Sequence, residues 1–172
     1  MHRLVLRRER RFYPGGLAYA SFELTGDKLV PSFWTRFFRR SPTHKHVKGG
    51  VPCIRQDYRS LSPAVPRLAP YRTGEWSLTS RARIDSDDLD AHLGYLIERL
   101  RFPRIHLQHF MAEDGLTARV VCFWDNARGD RMPVIDPALR KVFADSGVPI
   151  AIDEYPRPIT VTDGDKTYQA WL

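Results

Sequence analysis

The chain has only two cysteines among its 172 residues, and it has no long apolar run. Cys53 and Cys122 lie far apart and form no Cys-x-x-Cys pattern, so we expect reduced thiols, with a disulfide between them as the alternative. Residues 1–11 are charged where a signal peptide needs an apolar stretch of roughly 7–15 residues. No segment approaches the ~18 apolar residues of a membrane-spanning helix. The sequence therefore predicts a cytoplasmic protein that does not contact a membrane.

The sequence also lacks the motifs that usually mark an enzyme. It contains no Gly-x-Ser-x-Gly elbow, no phosphate-binding glycine-rich loop and no His-Glu-x-x-His helix. We therefore predict that the protein is not an enzyme, that it has no catalytic residues, and that it uses no cofactor or metal. A small hydrolase or transferase with a site assembled from dispersed residues is the alternative.

Positive charge is concentrated in the first half of the chain. The net charge is +7, yet residues 1–86 hold 17 Lys and Arg against 6 Asp and Glu, a net of +11. Residues 87–172 have a net charge of −4. This asymmetry favours an anionic partner for the first half, either a nucleic acid or an acidic protein surface.

Hydrophobic periodicity predicts a succession of strands and helices. The clearest segment is a helix over residues 85–101, with Leu89, Leu93, Leu96 and Leu100 on one face. Residues 43–71 are rich in glycine and proline and are predicted to form a long loop or insertion with one short strand near 44–47. The other predicted elements are strands at 17–24, 75–84, 104–112, 116–124 and 148–155, helices at 29–40 and 137–146, and a hairpin at 159–171.

This order of elements predicts an α+β fold. We expect a largely antiparallel sheet with helices on one face, containing ferredoxin-like β-α-β units plus a C-terminal hairpin. The predicted organisation is a basic N-terminal arm at 1–16, a single domain at 17–157 and the hairpin at 158–172. A chain of this length can bury roughly 70% of its unfolded surface, so the fold needs neither disulfides nor metals.

Three segments agree in their order and spacing with one known pattern. The first is the helix that runs into Pro42-Thr43 and a basic stretch ending at Lys48-Gly49. The other two are Thr73 to Leu78 followed by Asp88 to Leu93, and Asp136 to Leu139 leading through Gly147 into a strand. Together they resemble bacterial domain-of-unknown-function family 4279, over roughly Ala18 to Tyr155. The resemblance implies a small, cytosolic, non-catalytic domain similar in size and style to bacterial immunity proteins, and it carries no functional residues with it.

Two polar groups have the residue types of a metal site. His44 and His46 would share one face of a strand, but no third or fourth ligand lies nearby in sequence, so surface histidines are the favoured interpretation. A carboxylate cluster at the start of the long helix could bind a divalent cation, although helix capping explains it equally without one. The members of that cluster are Asp85, Asp87, Asp88 and Asp90.

The segment from Thr73 to Trp76 is predicted to be a turn that enters a strand. Gly74 would allow a positive φ or a close backbone approach, and Trp76 would anchor the core. The alternative is an edge that presents Arg72 and Glu75 to a partner.

Basic residues around the first helix give the strongest functional signal. Aromatic residues recur among them at helical spacing, which favours a buried aromatic face with arginines on the exposed side. A stacking platform for single-stranded nucleic acid, or a basic face that is simply solvated, are the other interpretations. The predicted partner-binding residues are Arg36, Arg39, Arg40, Lys45, Lys48 and Arg72.

We therefore predict a non-enzymatic protein-binding module that recognises an acidic protein surface. Its expected form is an immunity or antitoxin-type protein that neutralises a bacterial toxin by direct binding. The alternative is a nucleic-acid-binding protein that uses the basic face of residues 36–48 and the N-terminal arm. The sequence does not set the oligomeric state.

Overall fold

The computed structural model describes residues 18–52, 69–126, 133–156, 159–163 and 166–170, the last two ranges and Pro156 as backbone only. The predicted N-terminal arm, Cys53 and the middle of the 43–71 loop lie outside the described residues. Four helices are described: α1 (Pro31–Phe38), α2 (Leu89–Leu100), α3 (Leu107–Asp114) and α4 (Pro137–Ala144). The strands are β1 (Ala18–Gly26), β2 (His44–His46), β3 (Gly74–Thr79), β4 (Thr117–Asn126), β5 (Ile150–Pro156), β6 (Ile159–Asp163) and β7 (Lys166–Ala170).

Five strands form one sheet in the order β2-β3-β1-β4-β5. All neighbours are antiparallel except β4 and β5, which are parallel and joined through α4. Apart from α3, which is an additional helix before β4, the β-α-β-β-α-β succession from β1 to β4 and this strand order are those of a ferredoxin-like core. Helix α4 and strand β5 add one β-α-β unit to it. Strands β6 and β7 pair antiparallel as a separate hairpin. The predicted α+β fold class is confirmed.

The helices cover one face of the five-stranded sheet. Along β1, Ala18, Ala20, Phe22 and Leu24 are buried, while the residues between them are only partly covered. Phe22 meets the aromatic rings of α1 and β3 edge to face, which is a favoured geometry for aromatic pairs. The buried residues that the helices contribute to this core include Trp34, Phe38, Leu93, Leu96, Leu100 and Phe143.

Gly74 occupies a position where the backbone allows no side chain. It pairs with Gly26 at the end of β1 and β3, and a Cβ there would lie 3.0 Å from the carbonyl oxygen of Gly26 and 3.0 Å from Cβ of Leu29. Two residues further on, Trp76 is fully buried and donates its indole N–H to Thr35 Oγ1 at 3.1 Å. Both structural interpretations of this segment are confirmed.

The predicted strand at 104–112 is wrong. Residues from Leu107 onward form α3, whose buried residues are Leu107 and Met111, four positions apart as on one face of a helix. The apolar Ile105 is 91% exposed. Gly115 then ends the helix with φ of +63°.

Cys122 lies in the middle of β4, between Ala20 of β1 and Ile152 of β5. It is fully buried, and burial raises the pKa of its thiol to about 12. In the described part of the chain, no helix combines the length and the apolar character that crossing a membrane requires.

Candidate functional site

Three residues other than glycine have a left-handed backbone in the described part of the chain. Arg39 (φ 52°) follows α1, Arg101 (φ 56°) follows α2, and Ala82 (φ 58°) lies between Arg81 and Arg83. Helix C-termini usually place glycine in this conformation because a Cβ is unfavourable there. Strain of this kind concentrates at functional sites, so these three positions direct attention to the arginines around them.

Arg104 holds a fixed guanidinium beside the end of α1. It lies over the rings of Phe37 and Phe38, with its Cζ 5.2 and 5.7 Å from their centroids. Its Nε donates to the carbonyl of Leu100 at 2.7 Å, which occupies one of the unpaired acceptors at the end of α2. Its Nη2 is buried and has no acceptor among the described residues.

Positive charges accumulate around Arg104. Burial lowers the pKa of its guanidinium below the usual range, and the charges of Arg101 and Arg39 lower it further. An arginine retains its proton under such shifts, so the lowered pKa reflects burial first and repulsion by Arg101 and Arg39 second, and not a loss of charge. The ends of α1 and α2 therefore bring at least three arginines within electrostatic reach of one another.

A cleft of about 590 Å³ lies next to this group. Arg40 lines it from the connection between α1 and β2, Arg83 from the turn after β3, and Arg99 from the last turn of α2. The guanidinium of Arg99 lies over the ring of Tyr95, 5.4 Å from its centroid, and Arg99 Nε is buried without an acceptor among the described residues. We call six residues the arginine cluster: Arg39, Arg40, Arg83, Arg99, Arg101 and Arg104.

No member of the arginine cluster forms an ion pair with a described residue. Within 4.0 Å, the ion pairs of the described chain join other residues, such as Arg119 with Glu23 at 2.8 Å and Lys141 with Asp145 at 2.7 Å. Six cations gathered without a carboxylate repel one another, and this repulsion is relieved when an anion binds. The arrangement can therefore bind negatively charged groups.

The six predicted partner-binding residues divide between two places. Arg39 and Arg40 belong to the arginine cluster, and the exposed Arg36 precedes them by one turn of α1. Lys45 is exposed on β2. Lys48 forms an ion pair with Asp27. Lys48 and Arg72 both lie beyond the His46–Glu75 end of the β2–β3 pair, which is the end away from Arg39 and Arg40.

The histidine pair does not gather metal ligands. His46 stacks on Tyr71 with the ring centroids 3.6 Å apart, and its Nε2 lies 4.0 Å from Glu75. His44 is exposed. Among the described residues no group of three or more His, Cys, Asp and Glu is placed to hold a metal ion.

Two of the clustered carboxylates accept backbone hydrogen bonds at the starts of helices. Asp88 accepts a hydrogen bond from the backbone N–H of Asp90 at 3.0 Å and is the N-cap of α2. Asp90 accepts from the backbone N–H of Asp136 at 3.1 Å, next to the start of α4. These contacts give both side chains a structural role.

In the described chain, Ser80 and His92 form a hydrogen-bonded pair of the kind in which a histidine activates a serine nucleophile. Ser80 Oγ lies 2.9 Å from His92 Nδ1, and His92 Nε2 lies 2.8 Å from the carbonyl oxygen of Ser86. Because a carbonyl only accepts, Nε2 carries a proton and donates to Ser86. Ser80 Oγ also accepts from the backbone N–H of Ala20 at 2.8 Å and donates to the Ala20 carbonyl at 3.0 Å. Both side chains are fully buried. No substrate reaches them, so they join α2 to β1 and β3.

The sequence interpretation missed four members of the arginine cluster. Arg99 and Arg101 carry a recognisable signal, since they flank the last apolar position of a clearly predicted helix. Arg83 and Arg104 carry none, because their position depends on how a turn and a later segment pack against α1 and α2.

The fold and the site together define a ferredoxin-like α+β domain with a cationic surface that has no ion-pair partner among the described residues. The chain belongs to the family described as Domain of unknown function (DUF4279), whose model matches residues 17–157. No curated protein and no solved structure was found to match it.

Proposed function

We propose that this protein is a non-enzymatic binding module that recognises an acidic surface of another protein through the arginine cluster. One observation carries the proposal: six arginines from four segments lie together, and none has a carboxylate partner among the described residues. A fold gains nothing from such a gathering of like charges. An acidic partner supplies the missing counter-charges.

The choice of arginine supports a protein interface. Guanidinium groups are weakly hydrated, stack on aromatic rings and bind carboxylates in a bidentate manner, and arginine is enriched among interface anchors. Arg104 and Arg99 already stack on aromatic rings, so little side-chain entropy is lost when they bind. The cluster has the properties of a preformed interface.

The form we propose is an immunity or antitoxin-type protein that acts in the cytoplasm and neutralises a toxin by covering its active site. A toxin that acts on nucleic acid or on phosphate esters binds anionic substrates, and this cationic surface does not imitate such a substrate. The proposed partner is therefore a toxin that has an acidic surface beside its cleft, which this protein would contact while it covers the active site.

A nucleic acid is the second anionic partner to consider. Its backbone presents charges along a line, and proteins follow it with a positive stripe or groove. The arginine cluster instead gathers around the ends of two helices and a short cleft, which favours a protein. The two partners differ sharply in salt dependence, because each phosphate contact releases counterions.

The experiment is an affinity pull-down from the native host with the full chain, treated with nuclease in one arm. The bait carries Arg39→Glu and Arg40→Glu in a second arm, and the matched control Arg140→Glu, an exposed arginine on α4, in a third. We expect to recover one acidic protein in stoichiometric amount, with or without nuclease. The control bait should recover the same amount, and the bait with the double reversal should recover about tenfold less or lower still.

Two results contradict the proposal. If the double reversal retains the protein as well as the control does, the interface lies elsewhere. If only nucleic acid is recovered and it disappears after nuclease treatment, the cluster binds nucleic acid.

A further inference from the structure

The cleft beside the arginine cluster has the features of a small-molecule site. Three arginines from three separate segments face it: Arg40 before β2, Arg83 after β3 and Arg99 at the end of α2. No carboxylate lines the described part of the cleft. We propose that this cleft binds the phosphate monoester group of a small organic molecule.

The number of guanidiniums argues for phosphate rather than carboxylate. A single arginine satisfies a carboxylate, because its fork matches the two oxygens and the one negative charge. A phosphate monoester carries roughly −1.5 to −2 charges at neutral pH and three acceptor oxygens. Three arginines around one cleft match that charge better than they match the single charge of a carboxylate.

Polar groups at the cleft are already held in place by the protein. The guanidinium of Arg99 lies over the ring of Tyr95, 5.4 Å from its centroid, which orients it beside the cleft. The hydroxyl of Thr43 accepts from the backbone N–H of Thr79 at 3.1 Å, which leaves its own hydrogen free for a ligand.

The cleft is larger than a phosphate ion needs. Its volume of about 590 Å³ falls in the range of pockets for small organic ligands. Leu78, Pro42 and the ring of Tyr95 supply apolar surface beside the arginines. An organic body attached to the phosphate would lie on that surface, so an ester binds more tightly than inorganic phosphate.

This site goes beyond the proposed protein interface, because it requires only the purified chain and a phosphate ester. The experiment is isothermal titration calorimetry of the full chain with phenyl phosphate, inorganic phosphate and benzoate, at about 150 mM salt to suppress diffuse attraction. Arg83→Gln and Arg99→Gln test the site. Arg36→Gln is the matched control, since it removes a nearby exposed arginine that neither belongs to the arginine cluster nor lines the cleft.

We expect one saturable site for phenyl phosphate, several-fold weaker binding of inorganic phosphate, and weaker binding still of benzoate. Each cleft variant should weaken phenyl phosphate about tenfold or more, whereas Arg36→Gln should change it less than about twofold. Circular dichroism establishes that each variant is folded, and Arg83, which is exposed, keeps the test valid if Arg99→Gln does not fold.

Four results overturn the inference. The first is the absence of saturation up to about 10 mM phenyl phosphate. The second is an equal loss of affinity for phenyl phosphate in the cleft variants and in the control. The third is benzoate binding that is as tight as that of phenyl phosphate. The fourth is a phosphoserine peptide that binds at least tenfold tighter, which would make the ligand a phosphorylated protein. A negative titration together with a positive pull-down would reject the phosphate site and leave the protein interface intact.

Discussion

The two ends of helix α2 use polar side chains in opposite ways. At its start, Asp88 caps the helix and His92 is enclosed between Ser80 and Ser86, so the polar groups find partners inside the protein. At its end, Arg99 contributes a buried donor with no acceptor in the described part of the chain, and the helix stops at a residue in a strained left-handed conformation. Satisfied polar groups stabilise a fold, whereas unsatisfied and strained ones indicate a place where something binds.

The largest test of this comparison removes the buried histidine. We expect His92→Ala to lower the free energy of unfolding by about 3 kcal/mol, because it leaves a cavity and removes the hydrogen bonds to Ser80 Oγ and to the carbonyl of Ser86. Urea denaturation followed by circular dichroism measures this change. The affinity of the folded protein for phenyl phosphate should stay the same. A variant of unchanged stability that has lost ligand binding would make the start of α2 a functional site as well.

A smaller test removes the N-cap. Asp88→Ala should lower the free energy of unfolding by about 1 kcal/mol, because the first turn of α2 loses its side-chain acceptor and a carboxylate near the positive end of the helix dipole. Glu98→Ala is the control, since this exposed glutamate near the other end of the helix caps nothing. Equal changes in the two variants, measured by urea denaturation, would show that the cap contributes no specific stabilisation.

The smallest expected change in the free energy of unfolding is an increase. Arg101→Gly should raise the free energy of unfolding by about 0.5 kcal/mol, because glycine adopts φ of 56° without strain. It should also weaken binding of the acidic partner. Arg99→Gly provides the contrast, because that residue is helical and glycine there should cost about 1 kcal/mol. If both glycine variants are destabilised alike, the left-handed arginine is not strained and the reasoning about α2 loses its support.

Local patterns were sufficient to predict the regular parts of the fold. The alternation of β1 and the apolar face of α2 each identify one element type, because a whole face of each is buried against the core. The segment around Leu107 failed this reasoning, since its few apolar residues fit a strand as well as a short helix, and tertiary packing decided for the helix.

The candidate site could be predicted only in part. Arg39 and Arg40 follow directly from the amphipathic pattern of α1, which leaves them beyond its buried face. The convergence of Arg83 with Arg99 is a property of the packed molecule, since one comes from a turn and the other from a helix. Spacing in the sequence contains no information about the cleft between them.

The alkylation rate of Cys122 can report the opening of the sheet. The thiol lies between two neighbouring strands with its pKa raised to about 12, so in the closed protein almost no thiolate meets an alkylating reagent. In a Cys53→Ser chain, the rate of alkylation would therefore measure how readily β4 opens in native buffer. An acidic partner or a phosphate ester that binds the arginine cluster would slow the alkylation of Cys122, so its binding could be detected from that rate.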